Sequence, residues 1–341
     1  LLRVAPDGQL NMHELLRQFA AERLKAQGVT EKINDRYCAY YLSFLAEREA
    51  RLHGEQPQTA LAEVRYEWEN VRQAWELATE QRRLDDLQQG LKSLTRFCSL
   101  RGWINQCSRM TGQASEALNR LAAQSERPAE MDRVKRLLSR LLLAQAAMLV
   151  NLGNDVKGQA LCQQALALIQ EVPDSQARVE AGLLLSVLYR MQGHFEAAFA
   201  QINDLLSGST LLLDQRALIY SELGEIFFAQ GDMAEAEKNF RAALAIYQQI
   251  EDAIGRGKVI HSLAGVSYNR GRLEEALHFS LEFLELSRSL GNQSSEASAL
   301  SNLGRVYMAL GDKAKSKSYL EGALNLSREL GDRQEEAENM M

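Results

Sequence analysis

Five glycines limit what this chain can fold into. Gly153, Gly193, Gly231, Gly271 and Gly311 follow one another at intervals of 40, 38, 40 and 40 residues. They close apolar stretches with helical spacing. Asn302–Asp312 reads NLGRVYMALGD, with near-copies at Glu222–Asp232 (ELGEIFFAQGD) and Ser262–Arg272 (SLAGVSYNRGR). A fixed period of this length means one unit copied along the chain, because a lone unit cannot bury its own apolar face and must stack on the next. The pattern predicts first helices at 131–151, 176–192, 212–230, 253–270 and 293–310. Second helices are expected at 156–171, 195–207, 233–250, 273–290 and 313–330. Glycine suits the left-handed position that ends a helix, and Asp232 and Asp312 suit the cap of the next one.

Upstream the pattern is looser. Leu1–Val4 and Gln9–Met12 flank Ala5-Pro6-Asp7-Gly8, a composition that suits a tight hairpin. A helix is expected next, with Met12, Leu15, Leu16, Phe19 and Leu24 at helical spacing. Asn34–Leu52 reads as a second helix with Tyr37, Tyr40, Tyr41, Phe44 and Leu45 on its apolar side. Leu61, Val64, Trp68, Val71, Trp75 and Ala78 then alternate three and four residues apart, the spacing of a narrow packed seam. Leu84–Leu100 and Trp103–Ala123 form a degenerate pair broken at Gly102. The polar segment Ser125–Pro128 is the best internal boundary.

Composition excludes several function classes. Net charge is −6, and residues 174–341 carry 16 Lys and Arg against 24 Asp and Glu. Such an array is a poor nucleic-acid partner, since phosphate binding needs clustered cations. No apolar run approaches the ~20 residues of a membrane span. Cys38, Cys98, Cys107 and Cys162 show no metal or disulfide spacing, which points to the cytoplasm. Gly255-Arg256-Gly257-Lys258 lacks the preceding Gly and following Ser or Thr of a phosphate loop. His13-Glu14 has Arg17 where a zinc-protease helix needs its second His. No catalytic or metal-ligating set can be assembled from local spacing, so the chain is expected not to be an enzyme and to hold no metal.

The array resembles tetratricopeptide repeats. With Gly311 as the turn glycine, the family's small and large positions fall on Leu300, Leu303, Gly304, Tyr307, Ser316, Leu320 and Ala323. One repeat earlier they fall on Ile260, Leu263, Ala264, Ser267, Ala276, Ser280 and Phe283. The resemblance implies an all-α fold, a right-handed superhelix of helical hairpins, with the small residues letting neighbouring helices approach. The roughly 40-residue variant is similar to the sensor arrays of bacterial regulators and to mitotic-orientation scaffold proteins.

The N-terminal part resembles the signalling ATPases of the STAND class, relatives of the NB-ARC and NACHT proteins. MHELLRQFAAERL at Met12–Leu24 is similar to the segment that closes their winged-helix domain. The tyrosines of residues 37–41 and Trp68-Glu69-Asn70-Val71-Arg72-Gln73-Ala74-Trp75 follow in the family's order. The resemblance implies three parts: residues 1–30 as the end of a winged helix, 31–128 as connecting helices with a degenerate first repeat, and 129–341 as the array. It implies an upstream ATPase that binds ATP or ADP, with His13 near the nucleotide. The chain thus reads as a piece of a longer bacterial protein.

In a tetratricopeptide superhelix the first helices line the concave face. Register from the turn glycines places Arg190, Glu225, Phe228, His261, Tyr268, Asn269, Arg305 and Met308 there. Lys258 and Ser221 fall on the same face. Aromatics, a Met and both charge signs suit an adaptable recognition groove. The function expected is a sensor domain that binds a protein, peptide or small-molecule inducer and controls its own upstream nucleotide-binding domain in signal transduction and transcription regulation. The alternative is a free-standing scaffold that grips a peptide or protein.

Overall fold

The computed structural model describes residues 2–4, 10–12, 14–54, 57–122, 128–208 and 211–330. Leu2–Val4 (β1) and Leu10–Met12 (β2) pair antiparallel, with Leu2 opposite Met12 and Val4 opposite Leu10. The helices that follow are α1 Glu14–Ala26, α2 Thr30–Ala46, α3 Glu49–His53, α4 Gln58–Tyr66, α5 Trp68–Glu80, α6 Leu84–Arg101 and α7 Ile104–Ala122. The regular array comprises α8 Pro128–Asn151, α9 Asp155–Glu171, α10 Ser175–Met191, α11 Phe195–Gly208 and α12 Leu213–Gln230. It continues as α13 Met233–Gln249, α14 Ala253–Asn269, α15 Leu273–Leu290, α16 Gln293–Ala309 and α17 Lys313–Leu330. This is an all-α repeat fold with a small hairpin at its head.

The turn glycines behave as their spacing requires. All five adopt positive φ, from 72° at Gly271 to 85° at Gly231, and their N–H groups return to the preceding helix. Side-chain caps start the next helices. Asp232 accepts from the amides of Ala234 and Glu235 at 3.2 and 3.1 Å, and Asp252 accepts from Ile254 and Gly255 at 3.1 and 3.0 Å. The small positions let helices touch: a Cβ on Gly224 would lie 2.5 Å from the Phe240 ring. Successive helices pack as hairpins, and α8, α10, α12, α14 and α16 also touch one another in sequence to form one wall.

Four expectations about the N-terminal region need correction. The helix read as Asn34–Leu52 is two, because the Arg48 guanidinium takes the Phe44 carbonyl at 2.7 Å and ion-pairs with Glu63 as α2 ends. Its buried stripe is Cys38, Leu42 and Leu45, while Tyr40 is 64% exposed. Phe19 is exposed as well, with Arg23 over its ring. The Trp seam is real but kinked: Glu67 separates α4 from α5, and Asn70 bonds back to the Glu67 carboxylate at 2.7 Å. Leu61, Val64, Trp68, Val71, Trp75 and Ala78 are all buried across that kink.

Trp68 stacks on Phe97 and meets Trp103 edge-on, while Trp75 donates Nε1–H to the Met110 carbonyl at 3.3 Å. The cluster around them runs from Cys38 to Leu188, so one core joins the N-terminal helices to the first repeats. The boundary expected at Ser125–Pro128 falls mostly on residues outside those described.

Sequence spacing gave no hint of one further feature. The array curls until its C-terminal half meets its N-terminal helices. Arg96 of α6 reaches Asp252, the cap of α14, at 3.4 Å, across 156 residues of sequence. Leu100 packs against the C-terminal core cluster that includes Ile254 and Leu284. The concave wall thereby becomes one side of a channel that stays open to solvent.

Candidate functional site

Three first helices supply the inner wall of the C-terminal half. Helix α12 presents Glu225 and Phe228, α14 presents His261, Tyr268 and Asn269, and α16 presents Asn302 and Arg305 around one cavity of about 270 Å³. Six residues assigned to the concave face by glycine register therefore meet in one place. Residues that fall at equivalent positions of successive 40-residue units project from neighbouring first helices, which is why the register carries them together.

The polar groups of this cavity are ordered. Arg305 donates to Asn302 Oδ1, and the Asn302 amide nitrogen lies 2.9 Å from His261 Nδ1. A guanidinium only donates, so the amide must turn its oxygen to Arg305 and its NH₂ to the imidazole. His261 Nδ1 is then an acceptor, and the neutral ring carries its proton on Nε2. Burial holds the imidazole below its usual pKa, with Arg305 acting in the same direction and Glu225 against it. Phe283 lies 5.0 Å from the ring, and Glu225 accepts from Ser262 at 2.6 Å.

Two expected residues fall elsewhere. Arg190 lines a neighbouring, larger channel, where its guanidinium grips Glu222 at 2.9 and 3.2 Å. Burial pushes the Glu222 carboxyl up, opposed by Arg190 and by the Ser186 hydroxyl. Met308 is half exposed and lines a shallow hollow against α17, away from the other seven. His13 lies outside the described residues.

The larger channel, about 880 Å³, is lined by α6, α8, α10, α12, α13, α14, α15 and the start of α16. The first-helix pattern could not reveal it, since α6 closes it from the far end of the chain.

The arrangement suits binding. Aromatic faces, fixed amide and guanidinium donors and a neutral imidazole surround a cavity open to small groups. Among the described residues no cluster of three or more His, Cys, Asp or Glu could hold a metal ion, and no helix is long and apolar enough to cross a membrane. The four cysteines are buried and unpaired; a contact with Cys98 and burial push the Cys107 thiol well up, which makes it a poor nucleophile. The Gly255–Lys258 segment lies in the first two turns of α14, where a Cβ at Gly255 would strike Tyr247; it is a helix contact and not a phosphate loop.

Helical hairpins stacked with left-handed glycine turns, small residues at the crossings and an open inner wall define a tetratricopeptide-like repeat protein. The chain belongs to the MalT-like TPR region family, whose pattern matches residues 139–337. It is 31% identical over 116 residues to the TPR repeat-containing protein YpiA of Bacillus subtilis, covering 34% of this chain and 26% of YpiA. The chain thus spans about a quarter of that relative's length. Among solved structures it resembles a STAND protein with a tetratricopeptide repeat sensor from Pyrococcus horikoshii, with a TM-score of 0.51 and 19% identity over 69% of this chain and 36% of that one. It also resembles a Rap protein complexed with competence and sporulation factor, with a TM-score of 0.54 and 13% identity over 89% and 96% of the two chains. At these identities the likenesses concern the fold.

Proposed function

We propose that this chain is the sensor portion of a STAND-type signalling ATPase, and that the inner wall of its array recognises an inducer. The observation that carries this reading is the convergence of Glu225, Phe228, His261, Tyr268, Asn269 and Arg305 on one cavity. The likeness to a STAND protein with a repeat sensor supports it, as do the antiparallel strands β1 and β2 followed by α1, an order compatible with the end of a winged helix. The inducer is a protein, peptide or small molecule; the nucleotide, ATP or ADP, belongs to a module upstream, near which His13 would sit. The array works in the cytoplasm as a partner-binding element of a bacterial regulator.

Coupling requires that the inducer bind one state of the nucleotide switch better than the other; equal affinity would shift nothing. The test is the coding sequence that precedes this segment. A P-loop ATPase and the rest of a winged helix are expected there. Their absence would end the STAND reading and leave the second one, a free-standing scaffold, which the likeness to a Rap protein complexed with competence and sporulation factor favours.

A further inference from the structure

Among the described residues, two charged side chains line the cavity between α12, α14 and α16, one of each sign: Glu225 and Arg305. Neither is paired with an opposite charge. Glu225 accepts from the Ser262 hydroxyl, and Arg305 gives one N–H to the Asn302 amide oxygen. Glu225 also borders the larger channel, but Arg140 and Arg190 there are paired with Asp174 and Glu222, and Lys258 forms no pair with it. The neutral His261 takes the Asn302 amide at Nδ1, and its Nε2–H meets no acceptor among the described residues. One cavity is thus lined by a carboxylate, a guanidinium and an imidazole N–H that all have bonding capacity to spare.

Glu225, Gly265 and Arg305 hold the same position in successive units, at intervals of 40 residues. The glycine between the two charges is not there for packing. A Cβ at Gly224 or Gly304 would lie 2.5 or 2.6 Å from a neighbouring side chain, whereas one at Gly265 would rest 3.6 Å from the Phe228 ring, an ordinary contact. Alanine is the better residue inside a helix, so packing alone would favour it within α14. What the glycine adds is room, because it leaves that edge of the Phe228 ring uncovered toward the cavity. Glu225 and Phe228 are three residues apart on α12 and so share a face. A carboxylate beside an uncovered aromatic ring suits an ammonium group. Arg305, with one N–H held by Asn302, keeps a planar fork that suits a carboxylate.

We infer that this cavity takes a short linear zwitterion, with its ammonium at Glu225 and Phe228 and its carboxylate at Arg305. The His261 Nε2–H is available to a carbonyl between them. The two charges rise from α12 and α16 with α14 between, and each helix spacing is roughly 8–10 Å. An α-amino acid, with both charged groups on one carbon, is too short to meet both; the ligand needs a spacer. A dipeptide and an ω-amino acid share this chemistry. The inference deepens the inner-wall reading and rests on it, without depending on the STAND assignment.

Calorimetric titration separates the two sources. The probes are dialanine and 5-aminopentanoate, with pentanoate and pentylammonium as single-charge controls. They are run on the unaltered protein, Glu225→Gln, Arg305→Met and Gly265→Ala. At least one zwitterion is expected to bind one to one, more tightly than either control. Tighter binding of dialanine would mark a central amide as part of the ligand, and tighter binding of 5-aminopentanoate a plain spacer. Glu225→Gln and Arg305→Met should each weaken the zwitterion by about 10- to 100-fold, the range for a hydrogen bond to a charged group. Gly265→Ala should melt at the same or a higher temperature and yet lose zwitterion affinity, a combination that a packing role would not give. Indifference of the zwitterion to either charge variant, a control that binds as tightly, or no one-to-one binding of either zwitterion at millimolar concentration would each overturn the inference. Zwitterion binding lost in Tyr268→Ala but kept in Glu225→Gln and Arg305→Met would overturn the charge assignment alone and leave the inner-wall reading standing.

Discussion

The contact between Arg96 and Asp252 closes the channel, and removing its two partners should have unequal effects. Asp252 has two duties: it caps α14 through two backbone amides, and it faces a guanidinium that is only 18% exposed. Asp252→Ala loses the cap, worth about 1 kcal/mol. It also leaves Arg96 enclosed beside Lys258 without a counter-charge. Breaking a fully buried pair costs roughly 3–5 kcal/mol; at 3.4 Å and with partial solvent access, about 2 kcal/mol is the reasonable share here. The sum is about 3 kcal/mol. Arg96→Met removes the costly charge, keeps an apolar stem and leaves Asp252 with both backbone donors, so a change within about 1 kcal/mol is expected.

The double variant should then be better than Asp252→Ala alone, close to the cost of the cap, a coupling of about 2 kcal/mol. Urea unfolding followed by tryptophan fluorescence suits the measurement, because Trp68, Trp75 and Trp103 all report on the N-terminal end. Arg96→Met proving worse than Asp252→Ala, or strict additivity, would refute the closing role of this pair.

Other outcomes follow from the same contacts. Trp75→Ala should cost roughly 3–5 kcal/mol, since the side chain is 1% exposed and its Nε1–H is satisfied within the core; urea denaturation checks it, and a neutral result would contradict the seam. His261 should titrate below the free imidazole value of about 6.5, measured by NMR on its ring protons. Because burial depresses it, its contribution to stability is complete above that value and is lost as pH falls through the depressed folded pKa, with stability rising with pH in between. His261→Gln should flatten that part of the pH–stability curve. Asn302→Asp should move the His261 midpoint upward by placing a carboxylate at Nδ1; an unmoved midpoint would contradict the tautomer assigned from the Arg305–Asn302 contact.

Much of this fold was legible because glycine spacing is a backbone signal. Only a left-handed turn explains Gly193, Gly231, Gly271 and Gly311 at such regular intervals, and helix register follows from counting back. That register brought Glu225, Phe228, His261, Tyr268, Asn269 and Arg305 together. Arg190 and Met308 line other hollows, and Met308 belongs to the last first helix, with no described successor to face. Where side chains rather than periods decide, the sequence was mute. The breaks at Glu47 and Glu67 depend on Arg48 and Asn70 bonding to particular partners. Tyr40 and Phe19 have aromatic character but the wrong azimuth for the core. The Arg96–Asp252 closure arises from curvature summed over many repeats, which no local pattern encodes, and with it went the larger channel.

The central claim is that the inner wall, and not the outer surface, is what the array recognises with. It can be tested by melting the protein with and without a low-molecular-mass extract of the cells that make it, since a ligand at 100 times its Kd adds about 2.7 kcal/mol to the folded state. Tyr268→Ala combined with Arg305→Ala alters a half-buried ring and an exposed cation of the cavity, while Lys238→Ala alters an exposed cation outside it. All three proteins are expected to melt alike without extract, and only the inner-wall variant to lose the rise that extract brings. The same rise in all three, no rise in any, or a large drop in the bare melting temperature of the inner-wall variant would contradict the account.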